Sequence, residues 1–140
     1  MKDLFIVIFL SLLTSVPAVG NHSNDITPKE KPVFIHSVYF WLKDSVTDAQ
    51  RKEFMDLLRS FRKIKSVSKV FVASPAGTKR TVVDNTYDVA LIVMLKDKAA
   101  HDHYQADQIH RDAIKIFEGW IQDIRIYDSV TTRGTEMIYE

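Results

Sequence analysis

The chain has 140 residues, 46% of them hydrophobic and 26% charged, which is the balance of one globular domain and too short for two of ordinary size. Nineteen Lys and Arg against eighteen Asp and Glu leave a formal charge of +1, so the basic excess that binding a nucleic-acid backbone demands is absent and no nucleic-acid partner is expected. The sequence contains no cysteine, which excludes a disulfide framework, a thiolate metal site and a thiol nucleophile.

In chain order, residues 1–20 read as a secretory signal peptide. Lys2 opens it, Leu4 to Leu13 is nearly all apolar, and Ala18-Val19-Gly20 offers small residues where a signal peptidase cuts. The apolar run falls short of the roughly twenty residues that a membrane-crossing helix needs, so cleavage is expected to leave a secreted or periplasmic protein with no membrane attachment. Residues 21–32 are polar and aperiodic, an expected flexible lead-in. Val33 to Leu42 is β-branched and aromatic, a strand whose two faces are both apolar. Thr47-Asp48-Ala49-Gln50 is a capping-box pattern that starts a helix with the apolar stripe Phe54, Leu57, Leu58 and Phe61. Val67 to Ala73 is a second strand, and Ser74 to Thr86, with Pro75, Gly77 and Asn85, is a loop. Tyr87 to Leu95 is a third strand, again apolar on both faces apart from Asp88. Asp97 caps a second helical region that runs to about Gly119, with Ile109, Ala113, Ile116 and Trp120 roughly on one stripe. Ile121 to Tyr127 is a fourth strand, and residues 131–140 form a C-terminal tail.

The order βαββαβ predicts an α+β fold, a ferredoxin-like sandwich with two helices on one face of a four-stranded sheet. Two helices cover one face only, whereas the first and third strands are apolar on both. A homodimer joined through the sheet face, forming a dimeric α/β barrel, is the expected answer.

Four histidines fall within the predicted domain. His36 stands in an apolar strand face between Phe34 and Val38, where an imidazole must find a partner or line a cavity. His101 and His103, two positions apart, diverge by about 200° on a helix and cannot share a metal. His103, Asp107 and His110 would form one stripe of N and O ligands on an unbroken helix, but such stripes more often face solvent, and neither a metal nor a cofactor is expected.

Several segments together resemble the stress-responsive α/β-barrel (Dabb) family of the wider dimeric α/β-barrel superfamily, over about Val33 to Asp128. They are FIHSVYFWLK, VTDAQRKEFMDLL, YDVALIVML, HYQADQIH and the terminal IYD. The resemblance implies a ferredoxin-like protomer that dimerises through its sheet. Plant polyketide cyclases of the family have a pocket between sheet and helices, and their catalytic strand histidine, helix tyrosine and second histidine correspond to His36, Tyr104 and His110. By the same match Phe54, Leu58 and Leu91 would help to line the pocket. The chain departs from the family where many relatives carry His-Pro-x-His, since it has Asp107-Gln108-Ile109-His110 instead, and Leu58 replaces a cyclase tyrosine. On one continuous helix Tyr104 and His110 would point about 120° apart, so they meet only if the helix breaks near Ala106, with Asp107 capping a new one.

The expected function is binding of a small hydrophobic or carbonyl-containing molecule between sheet and helices. The alternative is cofactor-independent acid–base catalysis, polyketide-cyclase-like or isomerase-like. In it His110 acts as base, Tyr104 as oxyanion donor and His36 as the orienting group. A third reading follows from haem-handling monooxygenases of the superfamily, with His110 or His103 as ligand.

Overall fold

The computed structural model describes residues 32–131. The expected signal peptide 1–20, the lead-in 21–32 up to Lys31 and the tail 131–140 beyond Thr131 lie outside the described residues. β1 (Phe34–Leu42) alternates buried with half-buried residues along its length. Phe34, His36, Val38, Phe40 and Leu42 take the helix side, and Ile35, Ser37, Tyr39 and Trp41 the opposite side.

The capping box forms as expected: Gln50 N donates to Thr47 Oγ1 at 3.2 Å, and Thr47 N donates to Gln50 Oε1 at 3.0 Å. It starts α1 (Asp48–Ser60), which buries Phe54 and Leu58 and ends in a 3₁₀ turn carrying buried Phe61. β2 (Val67–Ala73) and β3 (Val89–Leu95) follow. The third strand starts two residues later than the sequence suggests, because Asp88 is occupied in fastening other elements. Its Oδ2 accepts from Leu42 N at 2.7 Å and its Oδ1 pairs with Arg51 at 2.9 Å.

The second helical region is two helices, α2 (Lys98–Ala106) and α3 (Gln108–Phe117), followed by a 3₁₀ turn. The restart resets the buried stripe. α3 buries His110, Ala113 and Phe117, whereas Ile116, expected on the buried stripe, is 48% exposed. β4 (Ile121–Val130) outruns its expected end at Tyr127, because pairing with β1 continues from Leu42↔Ile121 to Phe34↔Val130. Thr131 closes this edge, donating from N to Val33 O at 3.0 Å and accepting Val33 N on Oγ1 at 2.8 Å.

The sheet order is β2-β3-β1-β4, all pairs antiparallel, which is the ferredoxin-like α+β arrangement. The core lies between the sheet and the helices. Phe40, Phe54 and Phe117 meet edge to face there, with centroids 4.8–6.4 Å apart, each pair adding about 0.5–1.5 kcal/mol beyond area burial. The opposite face is uncovered. It carries Tyr39, Trp41, Ile92 and Met94, with Phe71 52% and Tyr127 56% exposed.

Candidate functional site

The site is built where α2 stops. Ile109 N donates to the Asp107 carboxylate at 2.9 Å, so Asp107 closes α2 and caps α3. The break turns His110 back beneath α2, and its ring centroid lies 4.5 Å from that of Tyr104. Tyr104 lies 5.7 Å from His36 on β1, and Phe61 packs against both Tyr104 and His110 at 5.7 and 5.2 Å. The three expected catalytic residues thus form one continuous group of rings.

A cavity of about 160 Å³ adjoins them. His36, Tyr104 and His110 line it, with Leu58, Leu91, Phe61 and Phe117 among the apolar walls and Ile124 and Ile126 of β4 at its side. Of the three residues expected at a pocket wall, Leu58 and Leu91 border this cavity. Phe54 does not line the cavity: it is fully buried behind the wall, held between Phe40 and Phe117. The helices leave β4 uncovered, with Ile124 43% and Ile126 52% exposed, so the cavity opens along that strand.

Burial governs the electrostatics. It pushes the Tyr104 phenol well above its ordinary range, so the hydroxyl stays a donor at neutral pH. The His110 imidazole is held below its ordinary value, chiefly by burial, while the Gln105 backbone pulls the other way. His110 Nδ1 is enclosed and has no hydrogen-bond partner among the described residues. Left unpaired, such a group costs about 1–3 kcal/mol. His36 is also held low, with burial outweighing the opposing pull of Asp128. Its neutral ring therefore donates from Nδ1 to Asp128 Oδ1 at 2.7 Å, which fixes the tautomer and leaves the lone pair on Nε2.

Two residues here escaped the sequence reading of the site. Asp128 faces His36 directly in the β1–β4 register. His101 stacks on Phe34 at 4.8 Å and lies 4.9 Å from His36. The signal for Asp128 was a carboxylate in the closing strand at the position that pairs with a core histidine, visible only once the register is known.

The stripe His103, Asp107, His110 does not exist as a ligand set: the break at Asp107 leaves His103 exposed and His110 buried. A haem does not fit either, since the cavity is far smaller than a porphyrin and His103 points away from it on an exposed face.

No curated protein matches the chain. Among solved structures, a dimeric ferredoxin-like protein of unknown function from Thermobifida fusca is 19% identical, with 75% of this chain and 96% of that one covered at a TM-score of 0.63. A Dabb family protein with a ferredoxin-like fold from Mesorhizobium loti is 18% identical, covering 72% and 98% at 0.60. Hydroxynitrile lyase from Passiflora edulis is 10% identical, covering 74% and 96% at 0.66. At these identities the likeness is one of fold. The sequence pattern of the Dabb family, the stress responsive A/B barrel domain, matches residues 34–131, from the first residue of β1 to the residue just past β4, and the chain belongs to that family.

Proposed function

We propose that this protein is an exported homodimer that binds a small hydrophobic, carbonyl-bearing molecule in the cavity between the sheet and the α2–α3 elbow. The observation that carries the reading is the combination at one wall of apolar side chains with a buried phenol and a buried imidazole that lacks a full set of partners. A cavity of about 160 Å³ suits a compact ligand, with Tyr104 as donor to a carbonyl oxygen. The pairing of protomers is supported by the uncovered aromatic sheet face and by neighbours described as dimeric. Export is supported by the signal-like pattern of residues 1–20.

The test is native mass spectrometry of protein recovered from its producing cells, followed by titration with a panel of small aryl and alkyl ketones. A retained or titratable ligand, weakened at least about tenfold in Tyr104→Phe and His110→Ala, is the expected result. Equal binding by both variants and the unaltered protein removes the assigned site.

A second reading, acid–base catalysis without a cofactor, is favoured by the contact of Tyr104 with His110 and by the fold shared with hydroxynitrile lyase. Neutral His110 would take a proton from carbon next to a carbonyl, or from the hydroxyl of a hydroxynitrile, whose C–CN bond then breaks to give a carbonyl compound and cyanide, which leaves with the proton as hydrogen cyanide. Tyr104 would donate to the oxygen that gains charge, and His36, held by Asp128, would orient the substrate. Turnover of an activated β-dicarbonyl or a hydroxynitrile that vanishes in Tyr104→Phe and His110→Ala supports this reading over simple binding.

A further inference from the structure

Three elements far apart in sequence bring nitrogen and oxygen donors to one point. His36 comes from β1, His101 from α2 and Asp128 from β4, and the ligand atoms they offer all lie within 4.8 Å of one another. We propose that His36, His101 and Asp128 form a divalent transition-metal site at the wall of the cavity.

The donor set selects the ion class. Two imidazoles and one carboxylate suit a borderline cation such as Zn²⁺, Co²⁺ or Ni²⁺, whereas Mg²⁺ and Ca²⁺ prefer oxygen alone. In a tetrahedral site with metal–ligand bonds of about 2.0–2.1 Å, ligand atoms stand roughly 3.3 Å apart. The widest spacing therefore has to close by up to about 1.5 Å, within the reach of side-chain rotation. His36 and Asp128 already meet at 2.7 Å through a shared proton. Ligation through Nδ1 moves that proton to Nε2, so the ring stays neutral and presents an N–H toward the cavity it lines.

The surroundings of the cluster support ligation. The Gln105 side-chain amide lies 3.1 Å from His101 Nε2. The amide nitrogen faces the ring; an amide flip would let its oxygen accept Nε2–H and free the Nδ1 lone pair for a metal, with the exposed Asp102 carboxylate 3.8 Å from Nδ1 as the competing partner. Phe34 stacks on His101 and fixes the plane of the ring. Access is open, because the Asp128 side chain is 44% exposed while that of His36 is 5% exposed. Three protein ligands leave a coordination position for water or a ligand atom, the arrangement of sites that act on what they bind.

The experiment uses the full, untagged chain, stripped with a chelator and titrated with Co²⁺ and with Zn²⁺. Expected is saturable uptake of about one ion per protomer, with a visible Co²⁺ d–d absorption band. His101→Ala and Asp128→Asn, both at partly exposed side chains and so expected to fold, should each weaken uptake more than about 100-fold, since loss even of an outer contact costs 10–100-fold. His103→Ala, on an exposed face outside the cluster, should leave uptake unchanged. Absence of saturable uptake, uptake unchanged by His101→Ala and Asp128→Asn, or uptake lost on His103→Ala would overturn the assignment.

Discussion

His110 concentrates the physical tension of the molecule. Burial and the nearby imidazoles of His36 and His101 lower its proton affinity, while the Gln105 backbone and the Asp107 carboxylate raise it, and burial is the largest of these influences. The folded state therefore holds it neutral at pH values where the unfolded chain, with an ordinary value of about 6.5, binds a proton. Its contribution to stability is complete above about pH 6.5 and is lost as pH falls through the depressed folded value. Urea midpoints should thus decline as pH falls from about 6.5 to 5, and His110→Gln should make that decline shallower, the remainder coming from His36, which burial also holds low. A slope unchanged by the substitution would count against the burial account. Asp56, Asp84, Asp102 and Asp112 are also shifted, downward and through hydrogen bonds made at the surface, so their effect falls at lower pH, below the ordinary carboxylate value. At the apolar wall, Leu58 is fully buried. Leu58→Ala should cost about 3 kcal/mol in calorimetry and enlarge the cavity, shifting preference toward bulkier ligands.

Among the elements, the elbow between α2 and α3 decides whether a site exists at all. One side chain makes the turn that a proline makes in many relatives, and it does so by accepting a hydrogen bond at 2.9 Å instead of removing a donor. Asp107→Ala should cost about 1 kcal/mol of stability and weaken ligand binding by more than that loss explains, because the two helices can then fuse and Tyr104 and His110 swing apart. Asp107→Ser, which keeps a capping oxygen, should restore most of both, as denaturation and titration would show. This elbow was legible in the sequence as a condition: the six-residue spacing of Tyr104 and His110 demanded a break, and Asp107 was the residue able to cap one. The stripe through Ile116 misled because a period counted across a break drifts out of phase. β1 and the Thr47–Gln50 box were legible because their signals are local. The meeting of His36, His101 and Asp128 was not, since it depends on which residues of β1 and β4 stand opposite one another, a long-range property of the sheet.

For the whole molecule, the unequal covering of the two sheet faces sets the expectation of assembly. Phe71 and Tyr127 stand on the uncovered face at more than half exposure, and a concavity of about 400 Å³ lies there among Tyr39, Trp41, Tyr87 and Arg125. Phe71→Asp should change protomer stability by no more than about 0.5 kcal/mol, because the side chain is already wet, yet should convert dimers to monomers in sedimentation velocity. A species of single-protomer mass for the unaltered protein at every concentration would end the pairing proposal.

Trp41 lies on that face, its indole N–H donating to Thr86 Oγ1 at 3.0 Å and its ring 5.3 Å from the Arg125 guanidinium, while Trp120 closes the turn after α3 against the core. The two indoles thus sit on opposite sides of the sheet, and with no other tryptophan in the chain they separate its optical signals. Subunit contact should shift the emission of Trp41 toward the blue and leave that of Trp120 in place. Replacing Trp120 with phenylalanine would leave Trp41 as a built-in gauge of association on the aromatic sheet face.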